Sequence, residues 1–489
     1  ILVFVQSKIL LERENLCNLL GTQLFGIPNA FPGTLNFDLI GLESPSLGGN
    51  DQGFLMEGMV RWVQDHCLAE AVRFEDLTQV SSMQADLLTA TNSICRKLVE
   101  RGLISQESAP KIISFCEGFE KAYVDHRRCI LLNQARTILC NDDYHNTVVV
   151  GEDEHSIQKD LKDETMAVFQ LSKCSVSSTA FKLMALVRNT MDEAVEVSTN
   201  LPEDSVLTLL RPTLYRTARE MLSLFRFIIP SSHGFEVANV PRTAAVLHND
   251  AVFLSHHCLT LGLEYGEKLP PANENDVRGK LLKQTCIFVD MVPLFRDLAD
   301  TSLGDMVELQ KQQLAEIVGS RITLFGKAMR SNESLQEWTE AETALAAGTY
   351  HLRHLAQAWK PILSPSVFLR TVGYLANILI EMYLNQMIGA TIISQEASQF
   401  ASALFHKGAA DIAQVVGEEN LASKYVVEWG HFQGVGKFLG LRNLAQVEQA
   451  LSSGRFSHLE SQELARLVRA VFDDTPHRQS LLGSIASPM

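Results

Sequence analysis

Hydrophobic residues recur every three or four positions along most of the chain, which is the spacing of an amphipathic helix. Strict alternation of apolar and polar residues, typical of a strand, is rare and is clearest over 146–153. The pattern therefore predicts an all-α protein. Helices are predicted over 54–79, 83–102, 109–140, 173–197, 214–229, 244–262, 294–330, 335–361, 366–392, 394–416 and 457–472.

Proline, glycine and capping residues predict where some of these helices begin and end. Pro230 is expected to stop the helix that precedes it. Ser457 and Glu460 have the spacing of a capping box, which predicts that the last of the helices above begins there. Breaks between packed helices are expected at 26–53, 141–165, 230–241 and 265–286.

Composition supports a folded chain and argues against some partners. Of the 489 residues, 46% are hydrophobic and 20% are charged, so there is material for a large core. The net charge of −15 argues against nucleic acid and against an anionic membrane surface, because both require clustered Lys and Arg. The uncharged stretch 15–37 contains three glycines and two prolines and cannot form a membrane span, so we expect no transmembrane segment.

The nine cysteines show no metal or redox pattern. No CxxC occurs, and an odd, scattered set predicts reduced and buried thiols rather than a disulfide framework. A search for chemistry finds no P-loop, no GxGxxG, no GxSxG and no HExxH. Asp125 and Cys129 lie one helical turn apart in "DHRRC", which is read as a polar helix face, with a reactive cysteine as the less favoured alternative.

Three histidines in "AAVLHNDAVFLSHHCLTLG" (244–262) raise the possibility of a metal site. On a helical wheel of about 100° per residue, His248, His256 and His257 point in three different directions. His248 and His256 are also about 12 Å apart along the axis, whereas a helical zinc site uses positions i and i+3 or i+4. The spacing therefore favours a structural helix, and neither a metal nor a cofactor is predicted.

The stretch from Asp142 to Glu164 carries eight acidic residues against two lysines. Such a run is usually a solvated linker, and the alternative is a mobile acidic loop that docks a basic partner. The residues singled out for docking are Asp142, Asp143, Glu152, Asp153 and Glu154.

Seven blocks, taken in order, resemble the zeste-white ten family of tethering and kinetochore subunits. They are "DHRRCILLNQARTILCNDDYHNTVVV", "FQLSKCSVSSTAFKLMALVRNTMDEA", "RTAREMLSLFRFIIPSSH", "AAVLHNDAVFLSHHCLTLG", "FVDMVPLFRDLAD", "WKPIL" and "LARLVRAVFDDTPHR". The resemblance that these blocks carry extends over roughly residues 110 to 489. Residues 1–110 resemble the family only in helical character, so its N-terminal coiled coil is expected to be missing or truncated. The acidic stretch resembles the coat-binding loop of yeast members but lacks that loop's tryptophans.

The resemblance implies an elongated rod of stacked helical bundles, as in other tethering complexes, and no enzymatic activity. One implied assembly lies at the endoplasmic reticulum, with a neuroblastoma-amplified-type protein, a Rint-type subunit, SNAREs and COPI vesicles. The other is the Rod–Zwilch kinetochore complex, which recruits dynein–dynactin and checkpoint proteins. The implied location is cytoplasmic, peripheral at the endoplasmic reticulum, and on the kinetochore and spindle in mitosis. Two alternatives remain: a tethering subunit without a kinetochore role, and a helical metal-dependent hydrolase.

The sequence suggests four segments: helices over 1–140, an acidic linker over 141–165, a bundle over 166–365 and a C-terminal bundle over 366–489. The apolar positions of 366–392 nearly encircle the helix, which predicts burial inside a bundle. The helix near 464–472 has a single apolar stripe, which packs on its own bundle or in a partner's groove. The C-terminal bundle is the predicted docking module for the large helical partner, with Arg466, Arg469 and Arg478 as candidate contacts.

Overall fold

The computed structural model describes residues 119–152, 170–200, 209–266, 288–329, 335–388 and 390–486, together with single positions at 89, 92, 96, 110 and 268. The helices predicted over 54–79 and 83–102 lie outside the described ranges. The chain divides into two compact units, one of residues 1–133 and 192–217 and one of residues 134–191 and 218–489. The predicted boundary between two bundles at residue 365 lies inside the second unit. The four-segment division suggested above stays a prediction.

Helices make up nearly all of the described residues, so the prediction of an all-α protein is confirmed. The predicted helices from 294 to 416 match the observed ones to within a few residues. The helices are α1 Phe119–Leu139, α2 Ser178–Asn200, α3 Leu210–Asn239, α4 Pro241–Gly266, α5 Val292–Ala328, α6 Leu335–Trp359, α7 Pro365–Ile388, α8 Gln395–Val416, α9 Glu419–Tyr425, α10 Trp429–Leu439, α11 Leu444–Ser452, α12 Ser461–Val471 and α13 Pro476–Ala486.

A two-stranded antiparallel sheet interrupts the helices. Strand β1, Thr147–Val150, confirms the strand predicted from alternation, and it pairs with β2, Cys174–Ser177. The prediction of helix from residue 173 was wrong, because the backbone of 174–177 bonds to β1 and the Ser175 N–H bonds to the Ile362 carbonyl at 2.9 Å. Gly151 closes the strand with φ +81°, a conformation that favours glycine.

Pro230 lies inside α3 and does not end it. Proline removes only one backbone donor, and the helix continues for nine further residues to Asn239. The predicted break over 230–241 was therefore too long: α3 and α4 are separate helices, but the break between them is Val240 alone. The Ser231 hydroxyl donates to the Phe227 carbonyl at 2.6 Å, one turn back, as serine does in a helix interior.

The core of the second unit is a layered helical packing. Helix α5 packs against α4, α6 and α7, and α8 packs against α6 and α10. Aromatic rings join these layers, with Phe325 lying 5.4 Å from Tyr383 and 6.2 Å from Phe405 between ring centroids. Phe405 in turn stacks on Phe432 of α10 at 4.4 Å. The C-terminal helices are thus fixed to the central bundle through buried rings.

Helix α7 is the one described helix that is long and apolar enough to cross a membrane. Half of its most apolar stretch is buried inside the protein, where it contacts α5, α6 and α9. At Gly373 the carbonyl of Tyr425 comes so close that a Cβ would lie 2.5 Å from its oxygen. These contacts are those of a core helix, as its nearly encircling apolar positions predicted.

The apolar stripe of α12 faces its own bundle. Leu464, Leu467 and Val468 are buried, and the Ala470 carbonyl accepts from the Ile393 N–H at 2.7 Å. The predicted capping box was wrong: the helix begins at Ser461, and its N-cap, Glu460, makes no side-chain capping bond. The stripe therefore packs on its own bundle and does not lie open to a partner's groove.

Candidate functional site

Asn249 of α4 joins three segments that are far apart in sequence. Its side-chain Nδ2 donates to the carbonyl of Ser175 in β2 at 2.9 Å and to the carbonyl of Ile362, after α6, at 2.7 Å. The side chain is 4% exposed. The Ile362 carbonyl also accepts from the Ser175 N–H, so the amide supplies its second donor and at the same time bonds the Ser175 carbonyl.

Asp250, the next residue, is fully buried and anchors the start of α2. Its carboxylate accepts from the backbone N–H and from the hydroxyl of Ser177, both at 2.6 Å. The Ser177 hydroxyl oxygen accepts in turn from the Ala180 N–H at 3.0 Å, in the manner of a helix N-cap. Burial raises the pKa of Asp250 to about 7, although both bonds from Ser177 oppose that shift. We call this set, Asn249, Asp250, Ser175, Ser177 and Ile362, the polar junction.

The three histidines of α4 are held by structural contacts. The His248 ring lies 2.9 Å from the Ala299 carbonyl through Nδ1, and burial lowers its pKa. Burial and the nearby Arg188 guanidinium, 3.2 Å from Nδ1, lower the pKa of His257 to about 4. His256 lies beside His257, with ring centroids 5.5 Å apart. No group of three metal-ligating side chains forms within the described ranges.

The cysteines follow the prediction only in part. Cys174 and Cys258 are buried free thiols, and burial raises the pKa of each to about 12. Cys129 and Cys140 are exposed, so the prediction of burial was wrong for them. In the "DHRRC" stretch Arg127 forms a bidentate pair with Glu193, at 2.8 and 2.7 Å, so the charge of that guanidinium is already matched by a carboxylate.

The acidic stretch is described only up to Glu152. Asp142 and Asp143 begin a short 3-10 turn, Asp142–His145, which leads into β1. Glu152 is exposed, but its backbone bonds to Leu171 and Lys173 at 3.0 and 2.9 Å. The part of the predicted acidic linker that precedes residue 153 is therefore a 3-10 turn and a strand, because β1 pairs with β2. Asp153 and Glu154 lie outside the described residues.

The three candidate arginines of the C-terminal bundle have different environments. Arg469 is exposed, and Arg466 is partly exposed with its guanidinium 3.9 Å from Glu463. Arg478 is mostly buried and caps the end of α12, donating to the carbonyls of Phe472 at 2.6 Å and Arg469 at 3.3 Å. Arg478 thus holds α13 to α12, and a charge reversal there would disturb the fold.

A cleft of about 1020 Å³ opens beside α12, between that helix, α9 and the start of α10. Within its lining the His458 ring packs closely on the backbone of Gly430, where a Cβ would lie 2.8 Å from the ring. Val427, at the rim, is 85% exposed. The acidic, basic and histidine residues lining it are Glu419, Glu428, His431, His458, Glu460, Glu463 and Arg466.

His431 crosses this cleft between two carboxylates. Its Nδ1 lies 2.8 Å from Glu428 Oε2, and its Nε2 lies 2.8 Å from Glu463 Oε1. The bond to Glu463 raises the pKa of His431, with a further contribution from Glu428 and against the effect of partial burial. The i,i+3 spacing of Glu428 and His431 is visible in the sequence, but Glu463 is 32 residues away and no local pattern points to it.

Two family models match the chain. "Centromere/kinetochore protein zw10, C-terminal" matches residues 169–316, and "ZW10 C-terminal helical domain" matches residues 343–485. The first match contains Asn249 and Asp250. The second contains every residue that lines the cleft.

Curated relatives carry the same description. The centromere/kinetochore protein zw10 homolog of Rattus norvegicus is 23% identical over 474 residues, covering 88% of this chain and 58% of its own length. The homologs of Arabidopsis thaliana and Caenorhabditis elegans are 22% and 20% identical and are covered over 36% and 57% of their lengths. The chain spans about half the length of the curated relatives it matches.

Among solved structures, that of Myo2-GTD in complex with Smy1 aligns over 74% of this chain and 83% of its own, at a TM-score of 0.42 and 13% identity. The apo structure of Myo2-GTD aligns over the same shares at a TM-score of 0.39.

Proposed function

Because the chain belongs to the centromere/kinetochore protein zw10 family, we propose that it is a non-catalytic scaffold subunit whose C-terminal helices dock a large helical partner. The partner is of the Rod or neuroblastoma-amplified type. Through it, the chain joins a kinetochore assembly with Zwilch that recruits dynein–dynactin and checkpoint proteins. It also joins a tethering assembly with a Rint-type subunit and SNAREs that receives COPI vesicles at the endoplasmic reticulum.

The observation that carries this proposal is the cleft beside α12. It is open to solvent, it lies within the family's C-terminal helical match, and its exposed Val427 adds an apolar contact to a polar wall. Its lining is mainly polar and charged, and such a surface selects a partner of complementary charge and fixes its orientation. The polar junction, by contrast, is internal and supports the fold that presents the cleft.

The charges of the cleft suggest what part of a partner enters it. Glu428 and Glu463 are already bonded to His431, whereas the carboxylates of Glu419 and Glu460 are exposed. Glu419 Oε1 accepts from the side-chain amide of Gln433 at 2.7 Å, and this exposed bond is one that a partner's cation can replace. Arg466 is the one arginine among the lining residues. A basic segment of the partner, presented on a helix, matches this balance, and such attraction accelerates association and fixes orientation.

The double charge reversal Glu419→Lys with Glu460→Lys is expected to weaken the partner's Kd by about tenfold to a hundredfold, because each lysine would repel the basic segment. Isothermal titration of the purified partner into the full chain measures this. The control pair Asp305→Lys with Glu316→Lys makes the same charge change on exposed positions of α5, outside the cleft lining, and is expected to leave Kd unchanged.

Circular dichroism is needed for both pairs to show intact helices. Equal binding by the cleft pair and the control pair would move the interface elsewhere. Tighter binding by the cleft pair would mean that the docked segment is acidic, and Arg466→Glu would then be the variant that loses binding.

A further inference from the structure

His431 lies between two carboxylates, and the protonation state of its ring determines how many of the two hydrogen bonds can form. An ionised carboxylate has only acceptor oxygens, so each of the two 2.8 Å contacts requires a ring N–H. The neutral ring has one N–H, and the imidazolium has two. Only the protonated ring can therefore donate to Glu428 and Glu463 together, and the neutral ring must leave one carboxylate facing a lone pair.

The two carboxylates belong to different elements. Glu428 is the N-cap residue of α10, and its backbone N–H donates to Asn377 of α7 at 2.8 Å, which fixes that side of the cleft to the bundle. Glu463 lies in the first turn of α12. The ring of His431 therefore bridges the beginning of α10 to the beginning of α12, and all three residues line the cleft.

The other charged groups around the ring do not replace this bridge. From α12, Arg466 reaches Glu463 only at 3.9 Å. Glu460, just before α12, and Glu419, the first residue of α9, add two more negative charges to the cleft lining. His458 also lines the cleft and packs on Gly430. The carboxylates outnumber the arginine, so a positive charge on the ring is favoured by the whole lining.

We propose that His431 is a proton-operated clamp, which holds α12 against α10 when the ring is protonated and releases it when the ring is neutral. The cleft is then narrow and rigid at lower pH and opens as pH rises. This inference concerns the chain alone, goes beyond the proposed scaffold function and needs no partner for its test.

The direction of the pH dependence follows from the raised pKa of His431. Since the folded protein raises the pKa of His431 above its usual value of about 6.5, the clamp contributes fully below that value. Its contribution is lost as pH rises through the folded pKa. Burial lowers the pKa of His248, His256, His257 and His351, whose effects on global stability have the opposite sign. A local measurement is therefore required.

Amide hydrogen exchange over 461–471, corrected for the intrinsic dependence of exchange on pH, measures the release of α12 in the full chain. Protection in the wild type is expected to fall between pH 6 and pH 8, by about tenfold for each unit by which folding raises the pKa of His431. In His431→Gln the side chain has no ionisation in this range, so the fall is expected to disappear. Glu463→Gln is expected to reduce it as well.

His477→Gln is the matched control. His477 lies in α13 and also contacts a glutamate, Glu448, at 2.9 Å, but it is exposed and touches neither α10 nor α12 through that bond. It is expected to leave the pH dependence of α12 protection as in the wild type. An unchanged fall in His431→Gln would overturn the clamp. So would a ring titration by NMR of the wild type that places the His431 pKa at or below its usual value.

Discussion

Asp250→Ala is expected to lower the free energy of unfolding by about 3–5 kcal/mol, because it removes a fully buried acceptor from two buried donors. Both the backbone N–H and the hydroxyl of Ser177 bond to this carboxylate at 2.6 Å. Their loss leaves β2 and the N-terminus of α2 without their attachment to α4. Urea unfolding followed by tryptophan fluorescence and by circular dichroism measures the change.

Asp250→Asn is the control for this prediction, since the amide keeps the size and the acceptor oxygen of the carboxyl. The raised pKa of about 7 means that the folded protein prefers the protonated acid. The stability that protonation supplies is present at low pH and is lost as pH rises from about 4 to about 7. At pH 8 the asparagine variant is therefore expected to be at least as stable as the wild type. An alanine variant that unfolded at the wild-type urea concentration would contradict the role of the junction.

Trp359→Ala is expected to cost a similar amount, about 3–5 kcal/mol. Trp359 ends α6 with no exposed surface, and its indole N–H donates to the carbonyl of Pro241, the first residue of α4, at 2.9 Å. The alanine leaves a large cavity at the position where α6 turns into the segment that bonds to Ser175.

Trp359→Phe keeps a six-membered ring and removes the five-membered ring with its N–H donor, so it leaves a smaller cavity and its expected cost is smaller, about 1–2 kcal/mol. Urea midpoints of the two variants, compared under identical conditions, test the difference. Equal costs for the alanine and phenylalanine variants would mean that the hydrogen bond, and not the packing, accounts for the role of Trp359.

Helical periodicity was enough to place most of the described helices, because burial of one face decides both the period and the packing. Helix ends were harder to predict. Helix α3 continues past Pro230, and Ser457 and Glu460 do not form the predicted capping box. In both cases the fold outweighs a single local signal. Strand β2 was missed for the same reason: its hydrogen-bond partners are β1 and Ile362, which are distant in sequence.

The candidate site was predicted only at the level of a region. Arg466 lies on the cleft lining, but Arg478 proved to be a cap of α12. The sequence also shows Asn249 and Asp250 next to His248, yet it does not show that the amide and the carboxyl bond to β2 while the imidazole bonds to α5. Such pairings depend on how the helices pack, and partners 51 to 74 residues apart leave no periodic signal.

We expect this chain to bind a large helical partner directly through its C-terminal helices. Mixing the purified full chain with a purified partner of the Rod or neuroblastoma-amplified type, and measuring mass during size-exclusion chromatography with light scattering, tests it most directly. One species with the summed mass of the two proteins is expected at micromolar concentration, and raised salt is expected to weaken the complex because charged groups line the cleft. Two separate species of unchanged mass at low salt, with both proteins folded by circular dichroism, would contradict it.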